Sequence, residues 1–222
     1  MPRLIRITRN LSLLLLIVLL LWMVLMIATA SQVSPGWTDA DYLDYAARQG
    51  GVFILNYFNA VLFTGLVVAL FGLLYLLLKE DYPLLTLTGL LFVPVYGVMN
   101  IVVYASQITI LPVLINAGTA PEFLLQWIQL RPDSAIGMVN GLAYAILGLP
   151  SICFAIALHG RGKLGHATGD LLILNAIFCI LGPIGAVTGN DLLALGTVVG
   201  GLVFTIAVFT LYLMLRQEDQ ST

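Results

Sequence analysis

Apolar residues along this chain of 222 residues gather into six runs, at about 11–30, 51–78, 84–107, 135–158, 168–188 and 192–215. A helix needs about 20 apolar residues to cross ~30 Å of hydrocarbon. Helices satisfy their own backbone hydrogen bonds in lipid, whereas membrane β-barrels require short segments of alternating polarity. These runs are long and continuously apolar. The pattern predicts an all-α, six-span transmembrane bundle in a single integral membrane domain covering residues 1–222.

Inside the runs the polar residues fall on shared faces. In Y-G-V-M-N-I-V-V-Y-A-S-Q, Tyr96, Asn100, Tyr104 and Gln107 stand at i, i+4, i+8 and i+11, which stacks them on one side of a helix. Asn56 and Asn59 are three apart on the second span, and Asn140 and Tyr144 four apart on the fourth. With the second and fourth spans entering from outside, Asn56, Asn59, Asn100, Tyr104, Gln107, Asn140 and Tyr144 share the outer leaflet. Amides facing one another could be interhelical glue, worth about 0.6 kcal/mol per bond. They could also form an outward-facing pocket for a small polar or amphiphilic molecule, with Tyr96 at its inner end. Seven groups in one zone exceed what glue requires.

The connections carry their own signals. Pro35-Gly36 marks a turn, and Thr38 is placed to cap a short helix from Asp39 to Arg48 whose first turn holds acids. The simplest role for that helix is to lead into the second span. The apolar segment from Ile108 to Pro132 is broken by Pro112, Asn116-Ala117-Gly118 and Pro121. Its piece P-E-F-L-L-Q-W-I-Q-L predicts a short interfacial helix between spans three and four, with Trp127 at headgroup level, or else a lid folded over the bundle. Ala28-Thr29-Ala30 after the first run resembles a signal-peptidase site, but the apolar core from Leu11 to Ile27 is longer than a usual signal core. An uncleaved helix is the expectation. Pro94, Pro150 and Pro183 sit inside spans and suggest kinks. Gly137/Gly141/Ala145, Gly185/Gly189 and Gly196/Gly200 permit close helix packing within the chain or in a homo-oligomer. Asn59 and Asn140, each about 20 residues before a basic turn, hint that spans two and three repeat in spans four and five.

Composition turns the six runs into a class. The chain is 60% hydrophobic and 9% charged, with a mean hydropathy of +1.04, against about 25% charged for a soluble domain. The lipid bilayer is therefore the expected surrounding. The net charge of −2, without a basic block, argues against nucleic acid as a partner. Arg3, Arg6, Arg9, Lys79, Arg161, Lys163 and Arg216 fall on one side of the threading, and only Arg48 and Arg131 on the other. The positive-inside rule then places both termini in the cytoplasm.

Candidate chemistry is sparse. No ionisable residue sits mid-membrane, which argues against charge-coupled transport, and no span holds a lysine for a retinal Schiff base. Asp170 and Asp191 read as boundary residues. His159 and His166 flank H-G-R-G-K-L-G-H, a loop that could hold an anionic head group through Arg161 and Lys163 but reads first as a flexible basic turn. Seven residues apart and without a third ligand, the two histidines make a poor metal site. Cys153 and Cys179 form no redox or metal motif. No catalytic, metal or cofactor signature appears.

The run N-I-V-V-Y-A-S-Q-I-T-I, followed by an apolar segment and R-P-D-S-A-I-G before a helix, resembles a group of bacterial multi-pass membrane proteins known as a domain of unknown function. Tyr104, Gln107 and Thr109 match its aromatic and Gln-x-Thr pattern, over about residues 50–215. The resemblance implies a six-helix fold in a bacterial cytoplasmic (inner) membrane and no activity. The expected ligand-binding residues are Asn56, Asn59, Tyr96, Asn100, Tyr104, Gln107, Asn140 and Tyr144. The rival readings are a structural or partner-binding subunit without ligand and, third, a membrane-embedded enzyme.

Overall fold

The computed structural model describes residues 2–32, 36–131 and 133–221. Pro35, expected to start a turn, and Pro132, which ends the apolar outer segment, lie outside the described residues. All regular structure among those described is helical: α1 Pro2–Ala30, α2 Asp39–Arg48, α3 Gly51–Leu78, α4 Pro83–Ile108, α5 Ile110–Asn116, α6 Pro121–Leu125, α7 Ala135–Leu158, α8 Gly162–Thr188, α9 Asp191–Ala194 and α10 Gly196–Ser221. Six of these stretches are long and apolar enough to cross a membrane, one for each apolar run. The helices outrun the apolar cores where polar residues still favour helix. Thus α1 begins at Pro2 and α10 continues through Arg216 to Ser221. Pro94, Pro150 and Pro183 all remain inside helices.

The long helices form a closed ring in chain order. α1 packs on α3, α3 on α4, α4 on α7, α7 on α8, α8 on α10, and α10 returns to α1. A ring of six leaves an axis that side chains must fill. Phe71 of α3 meets Phe154 of α7 at 5.1 Å and Phe204 of α10 at 6.5 Å between ring centroids. These three helices alternate around the ring, so their phenylalanines meet on its axis. The outer surface carries Leu84, Leu91, Val98 and Val187, all more than 60% exposed, which is the exterior a lipid-facing bundle requires.

The two ends differ. At the terminal end, Arg161 of the α7–α8 turn donates to the Leu77 carbonyl (3.0 Å) and to Glu218 (3.2 Å), tying three helices together. Arg9 pairs there with Asp219, joining the first helix to the last. At the loop end, α2, α5 and α6 pack on one another as a cap. Thr38 and Asp41 form the capping box that starts α2 where the sequence predicts. The helix is more than a lead-in to α3, because Arg131 holds Asp39 at 3.2 Å and Asp133 at 3.0 Å and so binds the two connections together. The segment around α6 folds onto the bundle: Leu124, Leu125 and Ile128 are buried.

Gly185 and Gly196, on two of the glycine faces that offered a homo-oligomer, pack within the chain. A Cβ on Gly185 would lie 2.1 Å from the Ala194 nitrogen, and one on Gly196 2.7 Å from the Phe178 carbonyl oxygen. α8 and α10 therefore approach at backbone distance, which only glycine allows.

Candidate functional site

Above the phenylalanine contacts, on the loop side, the ring and its cap line a partly open cavity of about 630 Å³. α3 supplies Asn56, Tyr57 and Ala60, α4 supplies Tyr104, and α7 supplies Asn140 and Tyr144. The walls extend beyond the three spans that the polar stripes marked. Trp22, Met26 and Thr29 come from α1, and Thr197, Val198 and Gly201 from α10. The cap contributes Gly36, Trp37, Tyr42, Gln129 and Leu130.

Four of the eight sequence-predicted residues, Asn56, Tyr104, Asn140 and Tyr144, line this cavity. The Tyr104 and Tyr144 hydroxyls are 2.7 Å apart, and either can donate to the other. Asn140 stands beside Tyr104. Tyr96 lies one layer deeper, with Tyr144 and Asn175 around a void of about 20 Å³, close to the volume of one water. Asn100 is fully buried near Tyr96. The other two are structural ties. Asn59 donates to the Val18 carbonyl of α1 at 3.2 Å. Gln107 donates to the Trp127 carbonyl (2.8 Å) and accepts from the Gln129 backbone (3.1 Å), fastening the cap to α4.

Some buried polar residues are satisfied within the protein and others are not. Asn175 is satisfied by Gly200 (2.9 Å) and Ser151 (3.0 Å), and Gln129 accepts from the Tyr57 hydroxyl at 3.0 Å. By contrast, Thr29 Oγ1, Asn56 Oδ1 and Asn140 Oδ1, on residues that line the cavity, and the Tyr96 hydroxyl and Asn100 amide below it are buried without a hydrogen-bond partner in the protein. A buried polar atom left unpaired costs roughly 1–3 kcal/mol. Three such acceptors around one space suit a molecule with hydrogen-bond donors.

Among the described residues, the lining holds no Asp, Glu, Lys, Arg or His. A charged guest would be buried without a counter-charge, which is costly. Trp22, Trp37, Tyr42, Tyr57, Tyr104 and Tyr144 offer flat apolar surface beside the amides. Burial, with Asp133 nearby, holds the Tyr42 hydroxyl above its usual range, so this phenol of the roof stays protonated. The chemistry on offer is hydrogen bonding and stacking around a neutral guest.

Sequence reasoning did not find Trp22, Thr29, Thr197 or Gln129. Thr29 and Thr197 are single polar residues in apolar surroundings, with no partner at helical spacing to mark a face. It also missed a group at the terminal end, where Asp170 stands next to both histidines; the i, i+4 spacing of His166 and Asp170 was the available signal. No protein-family model, curated protein or solved structure matches this chain.

Proposed function

We propose that this protein is a multi-pass protein of a bacterial cytoplasmic membrane that takes up a small, neutral, polar or amphiphilic molecule in the cavity of its helix ring. The observation that carries the reading is the convergence of three unpartnered buried oxygens, on Thr29, Asn56 and Asn140, on one space of about 630 Å³. Ligand pockets commonly measure about 300–1,000 Å³. In this reading the terminal end, with seven of the nine basic residues, is cytoplasmic, and the capped end faces outward. The R-P-D-S-A-I-G and Gln107-x-Thr109 resemblance supports the bacterial setting. The cap formed by α2 and α6 then controls entry from the outer side, and Trp37 and Gln129 are its inner face.

Accessibility in intact cells tests this. With Cys153 and Cys179 replaced, single cysteines at Asn56, Asn140 and Asn100 are exposed to a membrane-impermeant thiol reagent, with Asp41 as an exposed control. Labelling is expected at Asn56 and Asn140 and not at Asn100. Labelling of Asp41 alone would mean a sealed cavity and would remove the binding reading. Asp41 unlabelled in cells but labelled in inverted vesicles would reverse the orientation.

A further inference from the structure

Both histidines of the chain lie at the terminal end, away from the cavity. His159 is the C-cap of α7. His166 and Asp170 follow on α8, four residues apart, and so project from one face of that helix. The α7–α8 turn brings His159 back over this face. Its Nε2 is 3.1 Å from Asp170 Oδ1, while Nε2 of His166 is 3.6 Å from Asp170 Oδ2. The two imidazole centroids are 4.4 Å apart. One ligand atom from each residue lies within 4.8 Å of the other two.

The backbone makes room for this arrangement. A Cβ on Gly169 would fall 2.3 Å from His159 Cδ2 and 2.6 Å from its Nε2. Glycine beside Asp170 therefore lets the imidazole lie against α8 and reach the carboxylate.

The geometry points to a divalent transition-metal site formed by His159, His166 and Asp170. Metal–ligand bonds of about 2.0–2.2 Å in a tetrahedral arrangement separate the donor atoms by roughly 3.3–3.6 Å. The observed 3.1 and 3.6 Å run to different carboxylate oxygens and lie close to that spacing; an ion would displace the His159–Asp170 hydrogen bond and side-chain rotations would bring one donor from each residue onto it. Two imidazoles and one carboxylate suit Zn²⁺, Co²⁺ or Ni²⁺; Mg²⁺ and Ca²⁺ prefer oxygen donors throughout. Three protein ligands leave at least one coordination position, and the exposure of His166 (62%) and Asp170 (60%) turns it toward solvent. Because the ligands come from both sides of one turn, the ion also clips α7 to α8. The site is independent of the cavity and of its proposed guest.

The test uses the full chain in lipid nanodiscs, with its affinity tag removed and metal stripped by chelator. Zn²⁺ is titrated by calorimetry, and Co²⁺ by its visible d–d absorption. One saturable equivalent per chain is expected, with Zn²⁺ displacing the Co²⁺ spectrum. His166→Ala and Asp170→Asn should each weaken binding about tenfold or more, and Gly169→Ala should do so by displacing His159 with every ligand retained. Glu80→Gln, at the same end, should bind as wild type. Size-exclusion profiles verify that each variant is folded, and His166, being exposed, can be replaced without loss of packing. No saturable binding by the wild type would overturn the site, and so would folded His166→Ala and Asp170→Asn variants that bind like it.

Discussion

At the scale of single residues, buried amides of one type serve opposite ends. Asn175 is bonded to Gly200 and Ser151 and holds α7, α8 and α10 together. Asn140 lines the cavity with its Oδ1 unpartnered. Removing them should therefore have different consequences. Asn175→Leu removes two interhelical bonds, the Gly200 carbonyl keeping its helical partner, and should lower stability by about 1 kcal/mol. Asn140→Leu removes an unpaired oxygen and should leave the unliganded protein as stable as wild type, or more so. Thermal unfolding of the two variants in one detergent checks this, and equal losses would assign Asn140 to the scaffold.

At the scale of elements, α2 is acid-sensitive, because Asp41 and Asp44 both hold their carboxyls below the usual range. Two hydrogen bonds from Thr38, at 2.7 Å each, hold the Asp41 carboxyl below its usual pKa. A lowered folded value means that the carboxylate stabilises α2 fully above the unfolded value of about 3.9. That contribution is lost as pH falls through the lower folded value. Amide exchange in residues 39–48, corrected for the intrinsic pH dependence, should accelerate relative to α3 as pH drops from 5 toward about 3. In Asp41→Asn the same amides should exchange fast already at pH 5 and change little below it. Should Asp41→Asn keep the wild-type acid response, the capping box is not its source. The cap is also where an element's identity and its placement part company. The Thr38 box fixes where α2 begins, but only the Arg131 contacts to Asp39 and Asp133 fix what it lies against.

At the scale of the whole molecule, the ring must close between its first and last helices, which are farthest apart in sequence. Apolar packing does most of this along α1 and α10, and the Arg9–Asp219 pair ends the seam. Asp219 is largely shielded and is also approached by Arg6 at 3.6 Å, and losing its closer contact to Arg9 should cost more than losing an exposed ion pair. Arg9→Glu should lower the unfolding temperature, and Arg9→Glu with Asp219→Arg should recover a large part of the loss. Absence of any recovery would mean that the pair does not register α1 against α10. Closure matters for the cavity, since Trp22 and Thr29 on one side of this seam and Thr197 and Gly201 on the other form part of its wall.

Six long apolar helices, the start of α2, and the shared faces of Tyr96, Asn100, Tyr104 and Gln107 are written in the order of residues along the chain. These are local properties: run length against membrane thickness, a capping box, and the 3.6-residue period. Tertiary structure alone decided which polar residue does what. Gln107 and Asn59 looked like Asn56 and Asn140 in sequence, yet the first two are consumed by backbone partners and the last two line a cavity. It also decided that α1 and α10 supply walls and that Asp170 joins two histidines. The physical reason is that lipid and protein interior are equally apolar, so a membrane helix carries little amphipathic signal for which face turns inward. Contacts between residues as distant as Arg9 and Asp219 exist only once the ring is closed.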